Sequence, residues 1–189
     1  KKQSGGSGQF GDVWVRFEPH TGDELIFETE VVGGSVPKNF FPAVEKGLQD
    51  AMAKGVAGYP LTNLAADLYD GSYHAVDSDE LSFKTAASLA YKKCLEQAGP
   101  VLLEPVGTLL VTIPESASGS IMGDLNGKRR GSVLGMNPSE TEKGMTVLEA
   151  TMPQAEITDL ATVIRQITRG MGYFTSEFER YDQLPQALE

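Results

Sequence analysis

The hexapeptide Gly6-Ser7-Gly8-Gln9-Phe10-Gly11 is the first stretch whose residue types and spacing could do chemistry. It matches G-x-G-x-x-G, which holds a dinucleotide pyrophosphate only where a strand precedes it and a helix N-terminus follows. Here only five residues precede Gly6, and the alternation that begins at Val13 predicts a strand instead. Two readings stay open for the loop. It is either a plain surface connection or, with Ser4, Gly5 and the preceding Lys1-Lys2, a stretch whose bare backbone N–H groups approach an RNA backbone where side chains would obstruct.

His74, in Gly71-Ser72-Tyr73-His74, falls between a predicted strand and a predicted helix, at a loop tip. With Asp77 and Asp79 it resembles part of a metal site, and with Ser72 or Ser78 part of a hydrolytic triad. No Cys or second His supports the first reading, and no nucleophile-elbow sequence supports the second. Cys94 sits on the apolar face of a predicted helix, which suits a core position better than a nucleophile. Lys128-Arg129-Arg130 is the dense basic run of the second half. It lies at a helix C-terminus, where positive charge is favoured anyway, so it reads equally as a helix-end cap and as a phosphate contact. No G-x-x-x-x-G-K-[ST] occurs, so P-loop nucleotide hydrolysis does not reside in these residues.

The elements that must position these residues follow from periodicity. Val13, Val15 and Phe17 alternate with Trp14 and Arg16 as in a half-buried strand, and His20-Thr21-Gly22-Asp23 predicts a hairpin turn into a return strand over 25–32. Asn39 is the expected cap of a helix carrying Phe41, Val44, Leu48 and Met52, with Gly55 as its stop. A further extended run covers 61–69. Asp77-Ser78-Asp79-Glu80 has the form of a capping box, with Asp77 as cap, opening a helix that Gly99-Pro100 ends. Beyond it the pattern is strand (101–113), helix (116–128), strand (132–136), strand (145–152), helix (155–168) and strand (173–181). That β-α-β-β-α-β order is the split pattern of ferredoxin-like domains. The expected class is therefore α+β, with two α/β sandwiches, one over 1–99 and one over 100–189.

Charge limits the partners. The 189 residues carry 16 Lys and Arg against 26 Asp and Glu, a formal net charge of −10, shared almost evenly by the two halves. Such a balance opposes indiscriminate binding to phosphate backbones or anionic membranes. No stretch approaches the roughly 18 uninterrupted apolar residues that a membrane-spanning helix needs. One Cys cannot form an internal disulfide, in keeping with a reducing compartment. The chain opens on Lys1 rather than Met, as a piece of a longer polypeptide would.

Lys1 to Gly11, Gly33-Gly34, Ala43-Val44-Glu45-Lys46-Gly47, Ala57-Gly58-Tyr59-Pro60, Asp70 to Ser78 and Leu102-Leu103-Glu104-Pro105 together resemble the C-terminal third of elongation factor G across the whole chain. The resemblance implies that 1–99 correspond to the fourth domain, with a fold like ribosomal protein S5 domain 2, and 100–189 to most of the ferredoxin-like fifth. It implies a tip, made of Ser4, Gly5, Gly6, Ser7, Gly8, Gln9, Tyr73 and His74, that reaches the decoding centre and touches the tRNA–mRNA duplex. His74 matches the position that eukaryal and archaeal relatives modify to diphthamide, with unmodified histidine expected here. The fifth-domain likeness implies contact with the large subunit and makes Lys128, Arg129 and Arg130 candidate ribosomal RNA contacts. The expected partners are thus both ribosomal subunits, tRNA–mRNA and ribosomal RNA, in the cytoplasm, for a monomer without a membrane. No cofactor and no catalytic or metal residue is expected in these residues; GTP and magnesium belong to a GTPase domain that precedes them in the family. Ser7 departs from the Arg of many members, and the stretch Gly11 to Pro19 looks closer to elongation-factor-G-like paralogues. The alternatives are accordingly a paralogue with a ribosome-protection, stress or recycling role and, in a different class, a free-standing ferredoxin-like regulator that binds a small molecule.

Overall fold

The computed structural model describes residues 8–55 and 58–188, and its contacts divide the chain into two units, Lys1–Pro100 and Val101–Glu189. The first holds β1 (Asp12–Pro19), β2 (Ile26–Thr29), α1 (Phe41–Lys54), β3 (Leu64–Ser72) and α2 (Glu80–Ala98). Along β1 the alternation is realised: Val13, Val15 and Phe17 pack on the core while Trp14 is 53% exposed.

The predicted hairpin does not form. β3 lies between β1 and β2, antiparallel to the first and parallel to the second. Burial explains the order, because β3 carries the fully covered Ala66 and Leu68, and the middle of a one-sided sheet is its best-covered place. The 20–23 turn is instead fastened to the entry of β3, with His20 N–H donating to the Asn63 carbonyl and Asn63 N–H to the Gly22 carbonyl, at 2.8 and 3.1 Å.

Asn39 is not a helix cap either. Pro37 opens a 3-10 turn over Lys38–Phe40, and α1 starts at Phe41 with no side-chain cap. Its buried face, Val44, Leu48 and Met52 among others, is the one the spacing predicts, and Gly55 ends it at φ 51°. In α2, Phe83, Ala87 and Tyr91 are buried, Phe83 stacks on Phe40 at 4.6 Å, and Gly99 in the left-handed region stops the helix.

The second unit runs β4 (Leu103–Pro114), α3 (Ser118–Lys128), β5 (Ser132–Pro138), β6 (Met145–Pro153), α4 (Leu160–Thr168) and β7 (Tyr173–Gln183). Its sheet has the order β5-β6-β4-β7, with every neighbouring pair antiparallel. Both helices begin later than periodicity suggests, since each follows a strand-ending proline, Pro114 or Pro153, and a 3-10 turn. Leu109, Val111 and Ile113 of β4, Leu148 and Met152 of β6, Ile121 and Leu125 of α3, and Leu160 and Ile164 of α4 form the core. At about 1.5–3 kcal/mol for each fully buried large apolar side chain, this layer contact is what holds the helices on the sheet.

Candidate functional site

Two loops meet at one end of the first unit. One leads into β1 and includes Gly8, Gln9 and Phe10; the other links β3 to α2 and includes Tyr73, His74, Asp77 and Ser78. Of the predicted tip, Ser4, Gly5, Gly6 and Ser7 lie outside the described residues, and the rest are brought together.

Asp77 makes the junction. The sequence pattern predicts it as the cap of α2, but that role belongs to Asp79, whose Oδ1 accepts from Ser82 N–H at 2.7 Å. The Asp77 carboxylate instead accepts the Gly8 N–H at 2.7 Å, a buried bond between residues 69 apart, and its main-chain carbonyl accepts from Phe10 N–H at 2.8 Å. Ser78 adds a second tie, its Oγ donating to the Phe10 carbonyl at 2.9 Å and accepting from His74 N–H at 2.8 Å. The spacing of a cap and its partner fits Asp77-x-x-Glu80 as well as Asp79-x-x-Ser82, and only a contact distant in sequence separates them. Ser78 carries no separate signal in the sequence.

Three polar groups crowd His74 Nδ1: the N–H groups of Val76 and Asp77, at 3.4 and 3.3 Å, and Asp77 Oδ2 at 3.3 Å, while Nε2 has no hydrogen-bond partner among the described residues. His74 and Tyr73 are half exposed and Gln9 is exposed. Two aspects of this surface suit contact with a polar partner: it offers N–H donors and an aromatic ring, and the carboxylate that organises it is buried.

Gly11 explains how the β1 end can lie against α2. A Cβ there would stand 2.6 Å from the Ser82 carbonyl oxygen, so only glycine permits the approach.

The basic run of the second unit has a different fate. Arg129, 7% exposed, donates from Nε to Asp124 at 2.5 Å and from Nη1 to the Glu156 carbonyl at 2.7 Å, and it also pairs with Asp159. Arg130 holds both carboxylate oxygens of Glu104, at 2.6 and 3.0 Å, and Glu156 at 2.9 Å. These pairs raise both guanidinium pKa values further above their ordinary range, the Asp159 hydrogen bond leading for Arg129 and the Glu104 bond for Arg130. Of the three candidate RNA contacts, only Lys128 keeps a largely exposed cation, its Nζ 3.8 Å from Asp124.

Residues 1–99 match the family described as elongation factor G, domain IV, and residues 101–189 match the elongation factor G C-terminus. The chain belongs to the elongation factor G family. An elongation factor G-like protein of Thermotoga maritima is 47% identical over 191 residues, which take in all of this chain and 28% of that protein. A crystal structure from Thermus thermophilus, 43% identical, superposes with a TM-score of 0.87 over 99% of this chain and 28% of that one. The chain thus spans 28% of the length of each of these relatives.

In elongation factor G terms, the two-loop tip lies wholly within the domain IV match and the Arg129 network within the C-terminal match. The tip is less free of acid than composition suggests, because Asp77 stands at its centre, but that carboxylate is only 7% exposed and bonded to a backbone N–H. Cys94 is half-buried, and burial pushes its thiol pKa up, away from the lowered range of a nucleophilic cysteine. Among the described residues, no group of three or more His, Cys, Asp or Glu side chains is gathered for a metal, and no helix is long and apolar enough to cross a membrane.

Proposed function

We propose that this chain is the ribosome-binding C-terminal part of a translational GTPase, and that its domain IV tip promotes movement of tRNA and mRNA after peptide-bond formation. The observation that carries the reading is the joining of the Gly8–Phe10 and Tyr73–Ser78 loops through Asp77. It presents Gln9, Tyr73 and the Nε2 edge of His74 on a single small surface with its carboxylate hidden. Such a surface reads RNA by backbone and shape rather than by a basic field, which suits a body of net charge −10 that must leave the ribosome again.

The action is mechanical. A tip that binds one ribosomal state better than another shifts the equilibrium between them by its differential affinity, with no bond made or broken in these residues. GTP and magnesium would act in a preceding GTPase domain. Lys128, largely exposed and 3.8 Å from its one carboxylate neighbour, is the candidate of the three most open to a ribosomal RNA phosphate.

A second reading has its own support: the 47% identical relative is named elongation factor G-like, and Ser7 replaces the expected Arg. It gives the factor a protection, stress or recycling duty on the same ribosome. The full-length factor, assayed on programmed ribosomes for single-turnover translocation and in parallel for subunit splitting and rescue from a translocation-blocking drug, separates the two. Fast translocation supports the first reading; splitting or rescue without translocation replaces it with the second.

A further inference from the structure

We propose that Asp77 is the positioning residue that makes the two tip loops one RNA-reading surface, an inference that rests on the tip function proposed above. A buried carboxylate is costly unless its oxygens are satisfied, and among the described residues no Lys or Arg pairs with this one. A loop that needed only to be covered would do better with a neutral side chain. The carboxylate gains instead a short charge-assisted bond to the Gly8 N–H, of a kind roughly twice as strong as its neutral counterpart.

Gly8 and Asp77 are in close contact. A Cβ on residue 8 would lie 3.0 Å from Asp77 Cγ and Oδ1, so a side chain there would push the carboxylate back by a few tenths of an ångström. The same aspartate holds the neighbouring strand entry through its carbonyl and directs its own N–H at His74 Nδ1. The side chain itself touches both loops, accepting the Gly8 N–H beside Gln9 with Oδ1 and placing Oδ2 3.3 Å from His74 Nδ1. Recognition by shape depends on such preorganisation, because a surface that must first order itself loses that free energy from binding.

The 189-residue chain gives the first readout. In amide hydrogen exchange followed by NMR, Gly8 is expected to be protected, to exchange at least about tenfold faster in Asp77→Ala, and to keep most of its protection in Asp77→Asn, whose carboxamide oxygen still accepts. Equal Gly8 exchange in Asp77→Ala and the parent sequence overturns the proposal. The second readout uses the full-length factor in single-turnover translocation, comparing Asp77→Ala, His74→Ala and the double variant. Positioning predicts a double variant about tenfold faster than the product of the two single effects, and an Asn at 77 closer to the parent than Ala. Effects that simply multiply overturn it. Thermal unfolding of each variant distinguishes these outcomes from loss of fold. If Asp77→Ala does not fold, Gly8→Ala, which crowds the same carboxylate, carries the cycle with His74→Ala, and purely multiplicative effects again overturn the proposal. Should His74→Ala alone leave the rate unchanged, the tip function fails while the Gly8 exchange result still decides whether Asp77 joins the loops.

Discussion

Asp77 in the first unit and Asp124 in the second are buried alike, at 7% and 8% exposure, yet different donors satisfy their carboxylates. Asp124 meets the guanidinium of Arg129, which also reaches the Glu156 carbonyl and Asp159 and so fastens the end of α3 to the start of α4. Asp77 meets a backbone N–H, and the segments it fastens go on to expose Gln9, Tyr73 and His74. Charge against charge closes a structure on itself; charge against an amide leaves the neighbouring side chains available. In the conspicuous basic run Arg129 is buried bracing and the exposed Arg130 pairs with carboxylates of its own unit, whereas the inconspicuous aspartate sits where the exposed polar surface is organised.

Arg129→Ala gives the largest stability effect and tests the bracing side of the contrast. Leaving Asp124 buried without its partner is expected to cost about 3 kcal/mol in the second unit. Far-UV circular dichroism in denaturant should show it, while fluorescence of Trp14, the only tryptophan and part of the first unit, reports an unchanged midpoint. A loss below about 0.5 kcal/mol, the ordinary range for a surface substitution, would erase the distinction between the two aspartates.

Gly11→Ala comes next, at about 1–3 kcal/mol, because the added methyl meets the Ser82 backbone. Here the Trp14 transition should move. Asp79→Ala, which removes the α2 cap, is expected to cost about 1 kcal/mol by the same measurement. If Asp77→Ala cost more helix stability than Asp79→Ala, the assignment of cap and tip would be reversed.

Acid gives the smallest and most specific test. The Arg129 hydrogen bond holds the Asp159 carboxyl below the usual carboxylate range. Its stabilising contribution is therefore complete above the ordinary carboxylate pKa and is lost as pH falls through the lowered one. The parent sequence should lose part of its second-unit stability in that interval. Arg129→Ala should show a weaker dependence there, and an unchanged acid limb would contradict the pairing.

Much of the framework was legible in the sequence because it is local. The period of two in β1, the helical spacing of Val44, Leu48 and Met52, and the element order of the second half all come from neighbours within a few residues. The hairpin failed because strand partners are chosen by burial across the whole sheet, and β3 had the stronger claim to the centre. At the site, His74 and the glycine loop stood out by residue type. The role of Asp77 did not, since its partner Gly8 lies 69 residues away and a nearby helix start offered it a simpler task. Sequence gives the charge of Arg129 and Arg130 but not their carboxylate partners, so a helix-end cap and an RNA contact looked equivalent.

The most direct test of the tip's function is the single-turnover translocation rate of the full-length factor carrying His74→Ala. The ring is half exposed and its Nε2 has no partner among the described residues, so its loss should leave the Trp14 unfolding midpoint unchanged. The rate should fall at least about tenfold, equivalent to about 1.4 kcal/mol in the barrier. A variant that binds normally and translocates at the parent rate would contradict the assignment of this tip to tRNA–mRNA movement.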